Sequence, residues 1–524
     1  VSTPADPERG AAAFSTSRVR GSMRAFAIGK AISAPLTFLL VLVLAAVMSR
    51  EEYASYVAAV AVLEIAVVLG TVGLDWVLQT TIAGVVVRGN AAQLVHAMLL
   101  LGLLPAVPYV LLAAALWQFA PLIDAAMGGV VTVEVLRLYA AVLLVEGPTR
   151  MLRDQMLGAL LMQRVCQLAQ IVRIVVLFGA VAALAMLDLE VRAATVAHAE
   201  LAAACASLGV ALAGFVVRLR RAWPHGAMSD ALGAWLGWRS ARFAANAYGS
   251  FVLMLPLGTE VMTAIVARYL GADATAAFGF VARLMEIARR YLPMDMFYSV
   301  LRPAAIGRYE SGSDGAGFTR LVTDVDRMVG ANLIVVGLGT AVALAAGDAL
   351  VSLLSRGNVE SPALLLPALL ALLATHSIRR GVELVAYVVG QSGVFARAAL
   401  SSLAAPVLMV LVLTGTQQVQ LATVAVVLVD LAYSGIAILG LRRAGWPVAF
   451  KYRRWLAVAS ATGLAGAAGA LVAAQLPGLA GTVGAIAAAL LAFAAACAAL
   501  GVVDEAERSW VRSLLRSRGA TARA

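Results

Sequence analysis

Apolar stretches long enough to cross a bilayer recur along nearly the whole chain, and this limits what it can fold into more than any motif does. About fourteen are present, each close to the ~20 residues that a membrane helix requires. They fall at roughly 26–48, 54–78, 94–117, 133–150, 165–187, 192–216, 243–266, 276–301, 328–352, 362–390, 394–414, 419–441, 455–475 and 479–503. Apolar residues are 62% of the 524 and charged ones only 13%, so the expected state is a helical bundle solvated by lipid. The predicted fold class is an all-α polytopic membrane protein. The first 25 residues are polar and carry Arg9, Arg18, Arg20 and Arg24, without the apolar core of a cleavable signal peptide.

Orientation follows from the basic residues. With the N-terminus placed in the cytoplasm, about 28 of the 40 Lys and Arg fall in cytoplasmic segments, and about four (Arg50, Arg192, Arg268, Arg356) fall outside. This asymmetry predicts an even number of spans with both termini cytoplasmic. The net charge of +11 is therefore a topology signal. Nucleic-acid binding, the other reading of a basic chain, would gather the cations on one soluble domain, so no nucleic-acid partner is expected. Cys166, Cys205 and Cys497 are scattered through apolar segments without metal-ligand spacing.

The chain is predicted to contain a repeat. Residues 47–66 read VMSREEYASYVAAVAVLEIA and residues 269–288 read YLGADATAAFGFVARLMEIA. A shift of 222 residues sets Glu64-Ile65-Ala66 on Glu286-Ile287-Ala288, Ser49 on Gly271 and Tyr56 on Phe278. One span earlier, Pro35 falls within one residue of Pro256. Two related six-helix lobes are a common transporter design, with substrate held between halves that rock against each other. The predicted organisation is a cytoplasmic segment at 1–25, an N-lobe at 26–217, a cytoplasmic linker at 218–242 and a C-lobe at 243–441. Spans 13 and 14 follow at 442–503, with Gly463, Gly466, Gly469 and Gly484 permitting close packing, and a basic cytoplasmic tail occupies 504–524. Pro35 and Pro256, in corresponding spans, are candidate hinges or static kinks.

Several spans contain charges, which are costly at mid-membrane unless they meet water or a partner; insertion scales put the cost at about 2.5–3.5 kcal/mol each. Arg283, Glu286 and Arg290 share one face of span 8, with Arg289 beside them. Span 10 carries His376, Arg379, Arg380, Glu383 and Tyr387, and the first lobe offers Lys30, Glu64, Glu146, Arg150, Arg173 and Glu200. Two readings stand. The cations Lys30, Arg173, Arg283, Arg290 and Arg380 could bind an anionic head group, since a guanidinium holds phosphate oxygens in a fixed fork. Alternatively these side chains pair among themselves, or with Glu260 or Asp295, and fasten the bundle. The carboxylates Glu64, Glu146, Glu200, Glu260, Glu286, Glu383 and Asp430 are candidate proton or sodium sites, or ordinary salt-bridge partners.

The segment MSREEYASYVAAVAVLEIAVVLGTVGLDW resembles the opening of the polysaccharide and O-antigen (Wzx-like) flippase family of the multidrug/oligosaccharidyl-lipid/polysaccharide (MOP) exporter superfamily. Ser49, Glu52, Tyr53, Tyr56, Gly73 and Leu74 fill its motif positions, and Ala54 stands where the family often has Gly. Residues 149–173 look like the family's connection between helices 4 and 5, and residues 268–283 like its second-lobe Leu-Gly turn. The resemblance spans roughly 25–440. It implies two six-helix lobes around a central cavity and a polyprenyl-diphosphate oligosaccharide as substrate. It further implies a bacterial inner-membrane location, with glycan polymerase or glycosyltransferase partners. Fourteen spans also suit lipid II flippases.

No Gly-x-x-x-x-Gly-Lys-Ser/Thr loop occurs, so direct ATP drive is not expected, and no metal or other cofactor is expected. Asp324-Val325-Asp326 is read as the solvated face of a cytoplasmic helix, not as a metal motif. Two alternatives remain: a cation-coupled multidrug or metabolite antiporter of the same superfamily, and a membrane-embedded glycan polymerase or glycosyltransferase. The short external loops speak against the enzyme, and the basic interior against an exporter of organic cations.

Overall fold

A computed structural model describes residues 16–88, 91–222, 245, 248–296, 316–476 and 478–502. The linker from 223 on, the 504–524 tail and most of the N-terminal segment lie outside the described residues. No strand occurs among those described. In chain order the helices are α1 (Thr16–Val47), α2 (Arg50–Gly70), α3 (Leu74–Arg88), α4 (Ala91–Leu103), α5 (Ala106–Ala126), α6 (Val133–Arg150), α7 (Gln163–Met186) and α8 (Ala193–Ala222). There follow α9 (Thr259–Tyr291), α10 (Ala316–Leu354), α11 (Leu365–Val388), α12 (Ser392–Ala399), α13 (Ala404–Thr416), α14 (Val419–Arg443), α15 (Tyr452–Gln475) and α16 (Gly478–Ala499).

Eleven helical stretches are long and apolar enough on their own to cross a membrane. The full set of about fourteen emerges from two physical details. First, α9 is two helices joined at Gly271, whose φ of 77° and ψ of −165° suit a residue without a Cβ. Second, α6 and α11 are span-length but carry four and three charged side chains. The helices that look least like generic spans are the ones that carry the ionic networks.

The breaks have local causes. Ser49 caps α2, its hydroxyl accepting from the Glu52 N–H at 3.3 Å. Positive φ at Val72 and Gly73 separates α2 from α3 within the second predicted span, and Pro105 precedes α5 within the third. Pro256 lies in a short 3₁₀ turn, Leu255–Leu257, whereas α1 runs unbroken through Pro35. The paired prolines thus sit in unlike backbones.

Packing divides the chain into two compact units, residues 1–287 with 399–417, and residues 288–398 with 418–524. These boundaries follow contacts and differ from those of the sequence repeat. In the first unit α7 packs on α1 and α8, and α6 on α2, α5 and α8. The fully buried Tyr109 donates from its hydroxyl to the Val67 carbonyl at 3.1 Å, and a Cβ on either Gly70 or Gly147 would overlap its ring. In the second unit α10 packs on α11, α15 and α16, and α11 packs on α14. Gly469 lets α15 approach closely, because a Cβ there would lie 2.8 Å from the Ala485 carbonyl oxygen, whereas Gly463 faces open space.

One contact joins the two segments that the predicted repeat aligns, both in the first unit. Val57 and Gly279 are related by the same 222-residue shift, and a Cβ on Gly279 would overlap the Val57 Cγ1. Tyr53, in the α2 copy, meets Phe280 edge-on with ring centroids 6.4 Å apart. Val57 is buried and β-branched, so it cannot rotate away cheaply. Gly279→Ala is therefore expected to cost about 1–3 kcal/mol, read as a lower melting temperature in detergent. An unchanged midpoint would mean that the two helices do not meet this closely.

Candidate functional site

The first unit holds an ionic chain built from α2, α6 and α7. Arg150 grips Glu64 with both terminal nitrogens, at 2.7 and 2.9 Å, and its Nε meets Glu146 Oε1 at 2.7 Å. The second Glu146 oxygen lies 3.2 Å from the Arg173 Nε. Charges alternate along this row, two carboxylates against two guanidiniums. Arg173, expected to bind substrate, is thereby engaged with a carboxylate, and Arg150 is the hub that the sequence left unassigned.

Beyond α6 the chain makes a π-helical turn, Met151–Leu157, where the buried Arg153 forks onto Asp154 at 2.7 and 2.8 Å. Such turns are rare and recur at functional positions.

Three groups in this unit stand outside the pairing. Glu200, 4% exposed on α8, accepts from the Tyr56 hydroxyl at 3.4 Å, and its Oε2 has no hydrogen-bond partner among the described residues. Glu260, in the first turn of α9, accepts from the Thr259 hydroxyl at 3.4 Å and makes no ion pair within 4 Å among the described residues. Arg283 makes no ion pair within 4 Å among the described residues, yet lies within electrostatic reach of Tyr56, Glu64, Glu200, Glu260 and Glu286. Tyr56 comes from the sequence motif, and its bond to Glu200 was not legible from spacing.

Arg283, Glu260 and Glu286 line a cavity of about 20 Å³ together with Thr259, Thr263 and Gly279. That is room for about one water molecule. A diphosphate does not fit until the walls separate. This small cavity, with two carboxylates against one guanidinium, is not itself the water-filled, cation-lined chamber that was expected.

The second unit has its own network. Arg379 on α11 reaches Asp430 on α14 at 3.0 Å, Glu383 at 3.8 Å and the His376 Nδ1 at 2.6 Å, and lies 5.9 Å from the centre of the Tyr433 ring. The Thr375 hydroxyl donates to the other Asp430 oxygen at 2.7 Å. Arg380 lies 3.9 Å from Asp295 and 3.4 Å from Glu383, and the His376 Nε2 lies 3.8 Å from Asp295. Arg379, Glu383, Arg380, Asp295 and His376 thus close a ring. Arg380, expected to bind substrate, is held by two carboxylates. Asn332 on α10 supports the ring from behind, accepting from the Met294 N–H at 3.1 Å and donating to Ser377 at 3.3 Å.

Arg290 is exposed, and Lys30 is half-buried with its ammonium 5.6 Å from the centre of the Phe26 ring. The Asp324-Val325-Asp326 expectation needs correction. Asp324 is half-exposed, but Asp326 is 3% exposed and accepts from the Lys451 N–H at 3.1 Å, so it fixes the loop before α15. No group of metal-binding side chains occurs among the described residues.

No protein-family model and no curated protein sequence matches the chain. Solved structures do match. One titled "Lipid II flippase MurJ, inward closed conformation" aligns over 90% of this chain and 97% of its own, with a TM-score of 0.66 at 9% identity. An inward-facing multidrug resistance MATE family transporter of the MOP superfamily aligns over 79% and 94%, with a TM-score of 0.55 at 13% identity. A MATE transporter from Vibrio cholerae aligns over 82% and 98%, with a TM-score of 0.52 at 16% identity. The chain has the fold of these membrane flippases and transporters. It is a multi-pass membrane protein by that fold and by its spans.

Proposed function

We propose that this protein is a bacterial inner-membrane flippase that moves a polyprenyl-diphosphate oligosaccharide from the cytoplasmic to the periplasmic leaflet by alternating access. The observation that carries the reading is Arg283, a half-buried guanidinium that faces a cavity and has no ion pair among the described residues. Glu260 and Glu286 line the same cavity, yet neither closes an ion pair with this guanidinium, so its donors are open to an incoming anion. A diphosphate supplies that anion, and the guanidinium fork matches its oxygens. The likeness to a lipid II flippase over most of the chain supports the class, and the Wzx-like motif supports a glycan-bearing lipid. In this reading Arg283 makes first contact, while Arg173 and Arg380 exchange carboxylate for phosphate as the walls part. Arg290 and Lys30 guide the head group, both termini are cytoplasmic, and Pro35 and Pro256 bend as the lobes move. An inside-negative potential assists outward movement of an anion by about 2.3 kcal/mol per charge per 100 mV.

Glu260 and Glu286, on the same cavity as Arg283, favour cation counterflow as a component of the cycle. A second reading, a cation-coupled antiporter of organic cations, draws on the same two carboxylates. Proteoliposomes separate the readings. Fluorescent polyprenyl-diphosphate glycan should become accessible on the opposite leaflet, whereas a cationic dye should not move. The reverse result would establish the antiporter.

A further inference from the structure

In the second unit α12 and the end of α14 enclose a groove of about 350 Å³, with Val394, Arg397, Ile436, Leu439, Gly440 and Arg443 in its walls. Its floor is closed, since a Cβ on Gly440 would lie 2.7 Å from the Val394 Cγ1, so a ligand held here has no passage between these helices. Arg397 and Arg443 are exposed at its rim. The Arg397 Nε–H donates to the Gly393 carbonyl at 3.2 Å, a bond that does not use its two terminal nitrogens. Among the described residues no carboxylate stands within 4 Å of either guanidinium. Ile436 and Leu439 are 43% and 53% exposed, and with Leu428 they share the helix face that ends at Arg443. The groove is thus walled by apolar side chains and two exposed arginines.

We infer that this groove is a binding site for a resident anionic phospholipid of the cytoplasmic leaflet. The head-group phosphate accepts from Arg397 and Arg443, and the acyl chains lie along Leu439, Ile436 and Leu428. Basic pockets between membrane helices on the cytoplasmic side bind such head groups. A zwitterionic lipid brings its own ammonium to two unneutralised cations and is disfavoured. With α12 and α14 in close contact at Gly440 and Val394, the occupant stays on this face of the helix pair. The inference rests on the proposed orientation, which puts the start of α12 and the end of α14 at the cytoplasmic surface.

Native mass spectrometry of the full chain, released from nanodiscs of equal phosphatidylglycerol and phosphatidylcholine, tests this. The wild type should retain phosphatidylglycerol in preference. Arg397→Gln and Arg443→Gln should each weaken that preference about fivefold, and together about thirtyfold. Equal retention of both lipids by the wild type, or an undiminished preference in the double variant, would overturn the inference. So would displacement of the lipid by millimolar inorganic phosphate, or by polyprenyl diphosphate at a lower concentration than phosphatidylglycerol. Retention is read without transport. A protein that retains the lipid but does not flip glycan refutes the proposed function alone, and one that flips without the preference refutes the lipid site alone.

Discussion

Arg283→Ala is expected to slow flipping of a labelled polyprenyl-diphosphate glycan by about 10- to 100-fold, because charge-assisted hydrogen bonds are worth about 1.5–3 kcal/mol. Its melting temperature should stay within about 2 °C of the wild type, since no ion pair is broken among the described residues. Arg283→Lys keeps the charge but loses the planar fork, and an intermediate rate is expected. The contrast with Arg173 is informative. Removing Arg173 strips Glu146 of a partner at 3.2 Å, so lost transport there mixes substrate binding with damage to the bundle. Leaflet exchange in proteoliposomes beside thermal unfolding gives both readouts. Wild-type exchange by a folded Arg283→Ala protein would remove this residue from the site.

The fold was legible because hydropathy acts over local windows, and membrane helices satisfy their backbone hydrogen bonds within themselves. Even the break between spans 7 and 8 was marked, by the Gly271 that matches Ser49 in the repeat. The charged residue types were legible for the same reason, each being conspicuous in an apolar run. Their partners were not. Arg150 meets a carboxylate 86 residues away, and Arg379 meets Asp430 on a different helix. Periodicity places a side chain on a face but does not say what faces it. The stripe of Arg283, Glu286 and Arg290 read as one cationic surface. Yet the compact units divide between 287 and 288, and only Arg283 and Glu286 share the cavity with Glu260. The expected excess of cations largely disappears into the networks around Arg150 and Arg379.

That pairing makes Arg150 the most consequential structural residue in the first unit. Arg150→Ala leaves Glu146, 1% exposed, with Arg173 as its remaining ion-pair partner among the described residues, and takes from Glu64 the guanidinium that grips both of its oxygens. Removing one partner of a buried ion pair typically costs about 3–5 kcal/mol, and the partial exposure of Arg150 and Glu64, 24% and 23%, points to the lower end, about 3 kcal/mol. The mechanism is the stranded carboxylate and not the lost attraction, which yields a second expectation. Arg150→Met combined with Glu64→Leu removes both charges of the fork and should recover more than half of the loss, because well-packed apolar side chains often replace a buried pair without penalty. Thermal unfolding in detergent, with wild type, the two single variants and the pair, gives the coupling directly. If the double variant is as unstable as the sum of the singles, the fork contributes by packing and not by charge. The transport rate of the stable double variant then reports whether Glu64 serves the cycle or only the bundle.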